Sequence, residues 1–121
     1  MKFTLKWQMI SNQHAYWQRG KIRYMIKKAK DLKQSYIDQI KLESKKINIE
    51  EQVFLCFDCI EMSIKYYHWD KRKRDIDNYD KILIDSMQWI IFDDDVQIKK
   101  LTLEKFYDKE NPRAEVEIQL Y

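Results

Sequence analysis

The sequence predicts a single α/β (α+β) domain of β-α-β-α-β-β order, with a mixed sheet, helices packed on it and a C-terminal β-hairpin. Three observations predict it. Segments near both ends alternate apolar and polar residues, the period of a half-buried strand. Two interior segments repeat apolar residues at helical spacing. The 121 residues also contain one glycine, Gly20, and one proline, Pro112, where average usage would give several of each. So few chain breakers leave mostly regular structure.

The elements follow in order. Phe3, Leu5 and Trp7 alternate with Lys2, Thr4 and Lys6, a first strand. Ser11 to Gly20 reads as a loop carrying basic and aromatic residues, and Ile22 to Ile26 as either helix or a short extended piece. A helix runs from about Lys27 to Leu42, its apolar side formed by Ala29, Leu32, Tyr36, Ile37 and Ile40. Gln52 to Tyr67 is rich in Phe, Ile, Tyr and Val and reads as a long strand with a bulge near Asp58 to Met62. Tyr79, Leu83, Met87 and Ile90 mark a second helix ending near Ile90. Val96 to Phe106 and Ala114 to Leu120 alternate cleanly, and the turn Asp108–Pro112 joins them as the expected hairpin. No linker or repeat divides residues 1–121.

Composition narrows the function. Walker-type loops, dinucleotide fingerprints and nucleophile elbows all need closely spaced glycines, and Gly20 stands alone. No nucleotide cofactor is therefore expected. No apolar run approaches the ~20 residues of a membrane span. Met1 to Lys6 has no long apolar stretch after its basic residues, so a cytoplasmic location is expected. Cys56 and Cys59 lie in an apolar, strand-like run. Three residues apart on a strand they point to opposite faces, so they read as core thiols rather than a metal site.

Net charge is only +3, but it is segregated. Basic residues crowd Lys21 to Lys46, and Lys71-Arg72-Lys73-Arg74 forms a second block. Asp93-Asp94-Asp95 stands against them. Such separation suits a polyanionic partner together with a cation site; solvated helix faces are the plainer alternative.

The chemistry concentrates in Arg74-Asp75-Ile76-Asp77-Asn78-Tyr79-Asp80-Lys81. Two residues apart on an extended approach to a helix, Asp75 and Asp77 leave the chain on one side. Carboxylates held together repel unless a proton or cation lies between them. All-oxygen donors favour Mg²⁺ or Mn²⁺ over zinc. Lys81 follows Asp77 by one helical turn, within reach of the same site. Acids ahead of a helix also serve as caps, and Asp93 to Asp95 alone reads equally well as a solvated loop.

Taken together, Lys73-Arg74-Asp75-Ile76-Asp77-Asn78-Tyr79-Asp80-Lys81, Ile84-Asp85 and Phe92-Asp93-Asp94-Asp95-Val96-Gln97 resemble the RusA family of Holliday junction resolvases. The resemblance extends to Leu5-x-Trp7, Ser11-Asn12, the basic aromatic loop up to Gly20 and the C-terminal strands. It implies a small homodimeric, Mg²⁺-dependent endonuclease that nicks four-way DNA junctions in pairs. It implies metal or catalytic roles for Asp75, Asp77 and Asp95, with Asp94 as the alternative third carboxylate, and a catalytic or phosphate-facing role for Lys81. Two departures stand out: Gln8-Met9-Ile10 replaces the family's usual prolines, and the loop before the acidic cluster lacks the family's common glycine.

On this reading Arg72, Lys73, Arg74, Asn78, Lys27, Lys28, Arg19 and Arg23 face DNA, and one of Tyr16, Trp17 and Tyr24 stacks on an unpaired base. Alternatives are a nuclease for other branched DNA, such as flaps or forks, and a non-catalytic DNA-binding module whose acids are caps.

Overall fold

The computed structural model describes residues 1–6, 16–48, 50, 52, 55, 58–77 and 79–121, with backbone alone at 16, 17, 22 and 23. Expectations for Trp7, Ser11-Asn12, Cys56 and Asn78 fall outside these residues, as do those for the side chains of Tyr16, Trp17 and Arg23.

Four strands form a mixed sheet: β1 (Lys2–Lys6), β4 (Ile60–His68), β5 (Ile98–Tyr107) and β6 (Arg113–Leu120), in spatial order β1-β6-β4-β5. A separate two-stranded ribbon is made by β2 (Tyr16–Arg19) and β3 (Ile22–Met25). The helices are α1 (Lys27–Ser44) and α2 (Asp80–Met87). This is the α+β architecture the sequence predicts, with one ribbon added.

Alternation decides which face of the sheet is covered. Ile60, Met62, Ile64, Tyr66 and His68 of β4 are buried, while Glu61, Ser63, Lys65 and Tyr67 turn to the other side. Phe3 and Leu5 of β1, and Ala114, Val116 and Ile118 of β6, share the buried face. α1 contributes Ala29, Tyr36 and Ile40 to the same core, and α2 contributes Ile82, Leu83 and Met87. Each fully buried aliphatic contributes roughly 1.5–3 kcal/mol, so this one layer of helix on sheet supplies the driving force. The opposite face carries lysines and glutamates and is open.

Four expectations need correction. Tyr16 to Arg19 is not loop: it pairs with Ile22–Met25, the extended alternative for that segment, as the β2–β3 ribbon, turning at Gly20 with φ +61. Only glycine takes such a left-handed φ without steric cost. The long strand begins at Ile60, because Glu50, Gln52 and Leu55 are helical. A short apolar run cannot tell strand from buried helix. The predicted irregularity survives as a register shift between β4 and β5 at Ile60/Glu61. Cys59 consequently lies ahead of the strand and is exposed, not a core thiol. Lastly, β5 and β6 do run antiparallel across the Asp108–Pro112 turn, yet β4 lies between them. The C-terminal hairpin is therefore opened around β4, which pairs parallel with β5 and antiparallel with β6.

The missing loop glycine has a visible consequence. Beyond α2 the chain reverses through Trp89, whose φ is +69. Its N–H donates to the Phe92 carbonyl at 2.7 Å, and buried Ile91 and Phe92 anchor the turn. The indole is 76% exposed, so little packing offsets the strain. A left-handed non-glycine residue costs about 1 kcal/mol. Trp89→Gly is accordingly expected to raise the melting temperature by a few degrees, and Trp89→Val to lower it, in thermal denaturation followed by circular dichroism.

Candidate active site

α2 has acidic motifs at both ends, and the two are held by different devices. At the start, residues 71–77 leave β4 without regular structure. The N-cap of α2 is Tyr79, with no side-chain cap bond. Neither Asp75 nor Asp77 is the N-cap residue, and both are exposed.

What fixes this segment is an ion pair. Arg74 Nη1 donates to Asp70 Oδ1 at 2.5 Å and to the Arg72 carbonyl at 3.2 Å. Asp70 Oδ1 also accepts the Arg72 N–H at 3.0 Å, and Lys105 Nζ from β5 donates to the Arg74 carbonyl at 2.6 Å. The guanidinium beside Asp70 holds that carboxyl below its usual range. The Arg74 side chain is only 10% exposed. Lys71, Arg72 and Lys73 are exposed, and Lys71 lies over the Tyr107 ring. Of the basic block, Arg74 is thus the member turned inward, while Arg72 and Lys73 reach solvent.

At the far end, Asp94 caps a short 3₁₀ turn, Asp95–Gln97, by accepting the Val96 N–H at 3.0 Å. Gln97 completes a capping box, a reciprocal arrangement that satisfies turn donors from both sides. Its Oε1 accepts the N–H groups of Asp93 (2.8 Å) and Asp94 (2.9 Å). Its Nε2 donates to the carbonyls of Leu55 and Asp58, both at 2.9 Å.

Asp95 is left to meet α2. Its carboxyl pKa is raised, first by a hydrogen bond with Asp94, then by desolvation, then by the charges of Asp94 and Asp85, against the pull of Lys81. Lys81 Nζ pairs with Asp85 at 3.3 Å, one turn along the exposed side of α2. Lys81, Asp85, Asp94 and Asp95 are therefore one electrostatic group. Asp75 and Asp77 do not join it here: among the described residues no set of three His, Cys, Asp or Glu side chains is close enough to hold one metal ion.

The remaining expected DNA contacts are dispersed. Arg19 is exposed at the ribbon turn. Lys27 and Lys28 are exposed in the first turn of α1, which contains no acid. Cations at a helix N-terminus oppose the local dipole, so their placement is better matched to a polyanion than to the helix.

The profile of one family, Endodeoxyribonuclease RusA, matches residues 7–119. The chain belongs to the RusA endodeoxyribonuclease family. Among curated proteins none matches. Membership makes this RusA protein a hydrolase that cuts DNA, in a family of metal-dependent, Holliday junction resolving endonucleases. Among the described residues no helix is long and apolar enough to cross a membrane.

The sequence placed Asp85 and Gln97 in the family motif without a role for either, and gave no place to Asp70 or Lys105. Two had a signal: Asp70 precedes Arg74 by four residues, and Asp85 follows Lys81 by four, the spacing of side-chain pairs on a helix. Lys105 acts across the fold and had none, and the motif that contains Gln97 does not reveal its bonds to Leu55 and Asp58.

His68, at the end of β4, backs the ion pair. It is 5% exposed and meets the Tyr79 ring edge-on at 5.5 Å. Burial lowers its pKa to about 4, the charges of Arg74 and Lys105 add to this, and Asp70 opposes it. Between about 4 and the unfolded value near 6.5 the unfolded chain binds more protons, so stability falls as pH falls through that window. The loss is at most about 3 kcal/mol, reduced by solvent screening at the rim. Urea unfolding at pH 7 and pH 4.5 is expected to give a lower midpoint at pH 4.5, with the difference shrinking in His68→Gln.

Proposed function

We propose that the chain resolves four-way DNA junctions by paired nicks, using Mg²⁺ (or Mn²⁺) held by Asp75, Asp77 and Asp95. The observation that carries this is the crowding of Asp94 and Asp85 around Asp95, whose carboxyl pKa they raise against the pull of Lys81. A hard cation relieves that charge, and carboxylate oxygens are the donors it prefers. Exposure of Asp75 and Asp77 supports their inclusion. Asp95 is favoured over Asp94 because Asp94 spends an oxygen on the Val96 N–H.

When bound, the cation supplies Lewis acidity, drawing charge from the phosphate oxygens and acidifying the attacking water. The chain's own residues do the rest. Lys81 lies where its ammonium faces charge developing on the phosphate, and Asp85 orients that ammonium. Arg72 and Lys73 hold flanking phosphates, and Arg19, Arg23, Lys27, Lys28 and Asn78 extend the basic surface. Arg74 contributes by fixing the Asp-x-Asp segment. Two sites on a two-fold homodimer match the two-fold symmetry of a junction. The domain is taken as residues 1–121 and its location as cytoplasmic.

Cleavage of a labelled junction by purified protein tests this. Nicks at opposed strands are expected in Mg²⁺ and none in EDTA. Asp77→Asn and Asp95→Asn should each lower the rate at least 100-fold while leaving junction affinity within a few-fold; unchanged cleavage removes those residues from the site. Affinity should fall steeply with salt. Equal rates on linear duplex, or a preference for flaps or forks, favour the branched-DNA alternative; failure to nick in either metal favours the binding module.

A further inference from the structure

Folding does not account for the indole of Trp89. Its left-handed φ of +69 disfavours a bulky side chain, and at 76% exposure it buries little in return. The backbone beneath it is nevertheless fixed. Its N–H donates to the Phe92 carbonyl at 2.7 Å, and the N–H groups of Ile90 and Ile91 both donate to the Met87 carbonyl, at 3.1 and 2.9 Å. Ile91 and Phe92 are buried, so the turn is locked into the core. The residue after Phe92 is Asp93, whose N–H is held by Gln97. The strained turn therefore ties the indole to the acidic corner. Two further apolar side chains stand out beside the acids: Val96, next to Asp95, is 68% exposed, and Ile76, between Asp75 and Asp77, is exposed as well. Strain held by its surroundings at a candidate active site is a pointer to function.

We infer that Trp89 is a base-stacking contact, its indole lying against an unstacked nucleobase of the DNA strand that enters the acidic corner. Asp93, Asp94 and Asp95 repel a phosphate backbone, so an attractive contact here is made with the uncharged part of a nucleotide. Every base has a flat π-face, and an aromatic side chain stacks on it with little regard to sequence. In continuous duplex those faces are covered by neighbouring bases. A branch point interrupts the stack and opens one, so the contact favours branched DNA over linear duplex. An indole on a fixed backbone also loses little freedom on binding. Stacking neutralises no phosphate and adds nothing to the salt dependence that Arg72 and Lys73 confer.

The inference rests on the DNA-cleaving site proposed above and names a part of the substrate that site touches. Junction and duplex binding in EDTA, single-turnover nicking in Mg²⁺ and indole emission are measured for the wild-type chain, Trp89→Gly and Trp89→Phe. Trp89→Gly is expected to bind the junction about tenfold more weakly, by the same factor at low and high salt, with duplex affinity within about twofold. Its melting temperature should not fall, so lost binding is not lost folding. Trp89→Phe keeps a ring and should recover most of the affinity. The emission that Trp89→Gly removes should be quenched when the wild-type chain binds the junction. Unchanged junction affinity in Trp89→Gly, with that emission unquenched, overturns the inference, and persistent nicking then leaves the proposed function standing. Loss of a dimer in Trp89→Gly by sedimentation, with the emission unquenched by DNA, assigns the indole to a contact between copies and also overturns it. Quenching and weakened binding in a protein that nicks no junction sustain the stacking and remove the cleavage reading.

Discussion

One amide holds the acidic corner. A glutamine side chain has two acceptor sites and two donor hydrogens, and Gln97 uses all of them. Its oxygen gathers the N–H groups of Asp93 and Asp94, and its nitrogen ties them to the chain just ahead of β4. Four neutral hydrogen bonds contribute only about 1 kcal/mol each. Their geometric effect is larger, because Asp95 then leaves the turn from a backbone fixed on both sides. Asp94 serves as a cap, and Asp95 bonds to Asp94 within the fields of Asp85 and Lys81. The division of labour between two adjacent aspartates thus follows from a residue two positions further on.

The opposite end of α2 depends on a charged clasp. Asp70 and Arg74 close residues 71–73 into a loop, and Lys105 fastens its end at Arg74 to β5. The pair is largely shielded from water by its own surroundings, which strengthens a charge-assisted bond. Its outcome is positional: Arg72 and Lys73 project outward and Asp75 and Asp77 stay exposed. α2 is eight residues long, about 12 Å, so the two clasps hold the acidic motifs at the ends of one short rod. The rod is rigid because Ile82, Leu83 and Met87 are locked into the core.

Much of this was legible in the sequence. The helical period of α1 gave its buried face, Ala29, Tyr36 and Ile40, and the alternation of β1, β5 and β6 gave those strands. The acids and Lys81 stood out because like charges at such spacing need a reason. What was missed has physical causes. The β2–β3 ribbon is short and interleaves aromatic with basic residues, so no apolar face marks it. Leu55 lies in an apolar run too short to choose between strand and helix by pattern. The β4 insertion between β5 and β6 is a matter of pairing order, which local pattern does not encode. Gln97 and Lys105 bond to partners about thirty to forty residues away, so only the folded chain reveals their purpose.

Gln97 protects the geometry of the acidic corner rather than its charge. The most direct measurement is single-turnover cleavage of a four-way junction by Gln97→Met, beside its junction affinity and melting temperature. Cleavage slowed at least tenfold, with affinity within about twofold and the fold intact, is the predicted result. Cleavage at the wild-type rate in a folded Gln97→Met protein would contradict it.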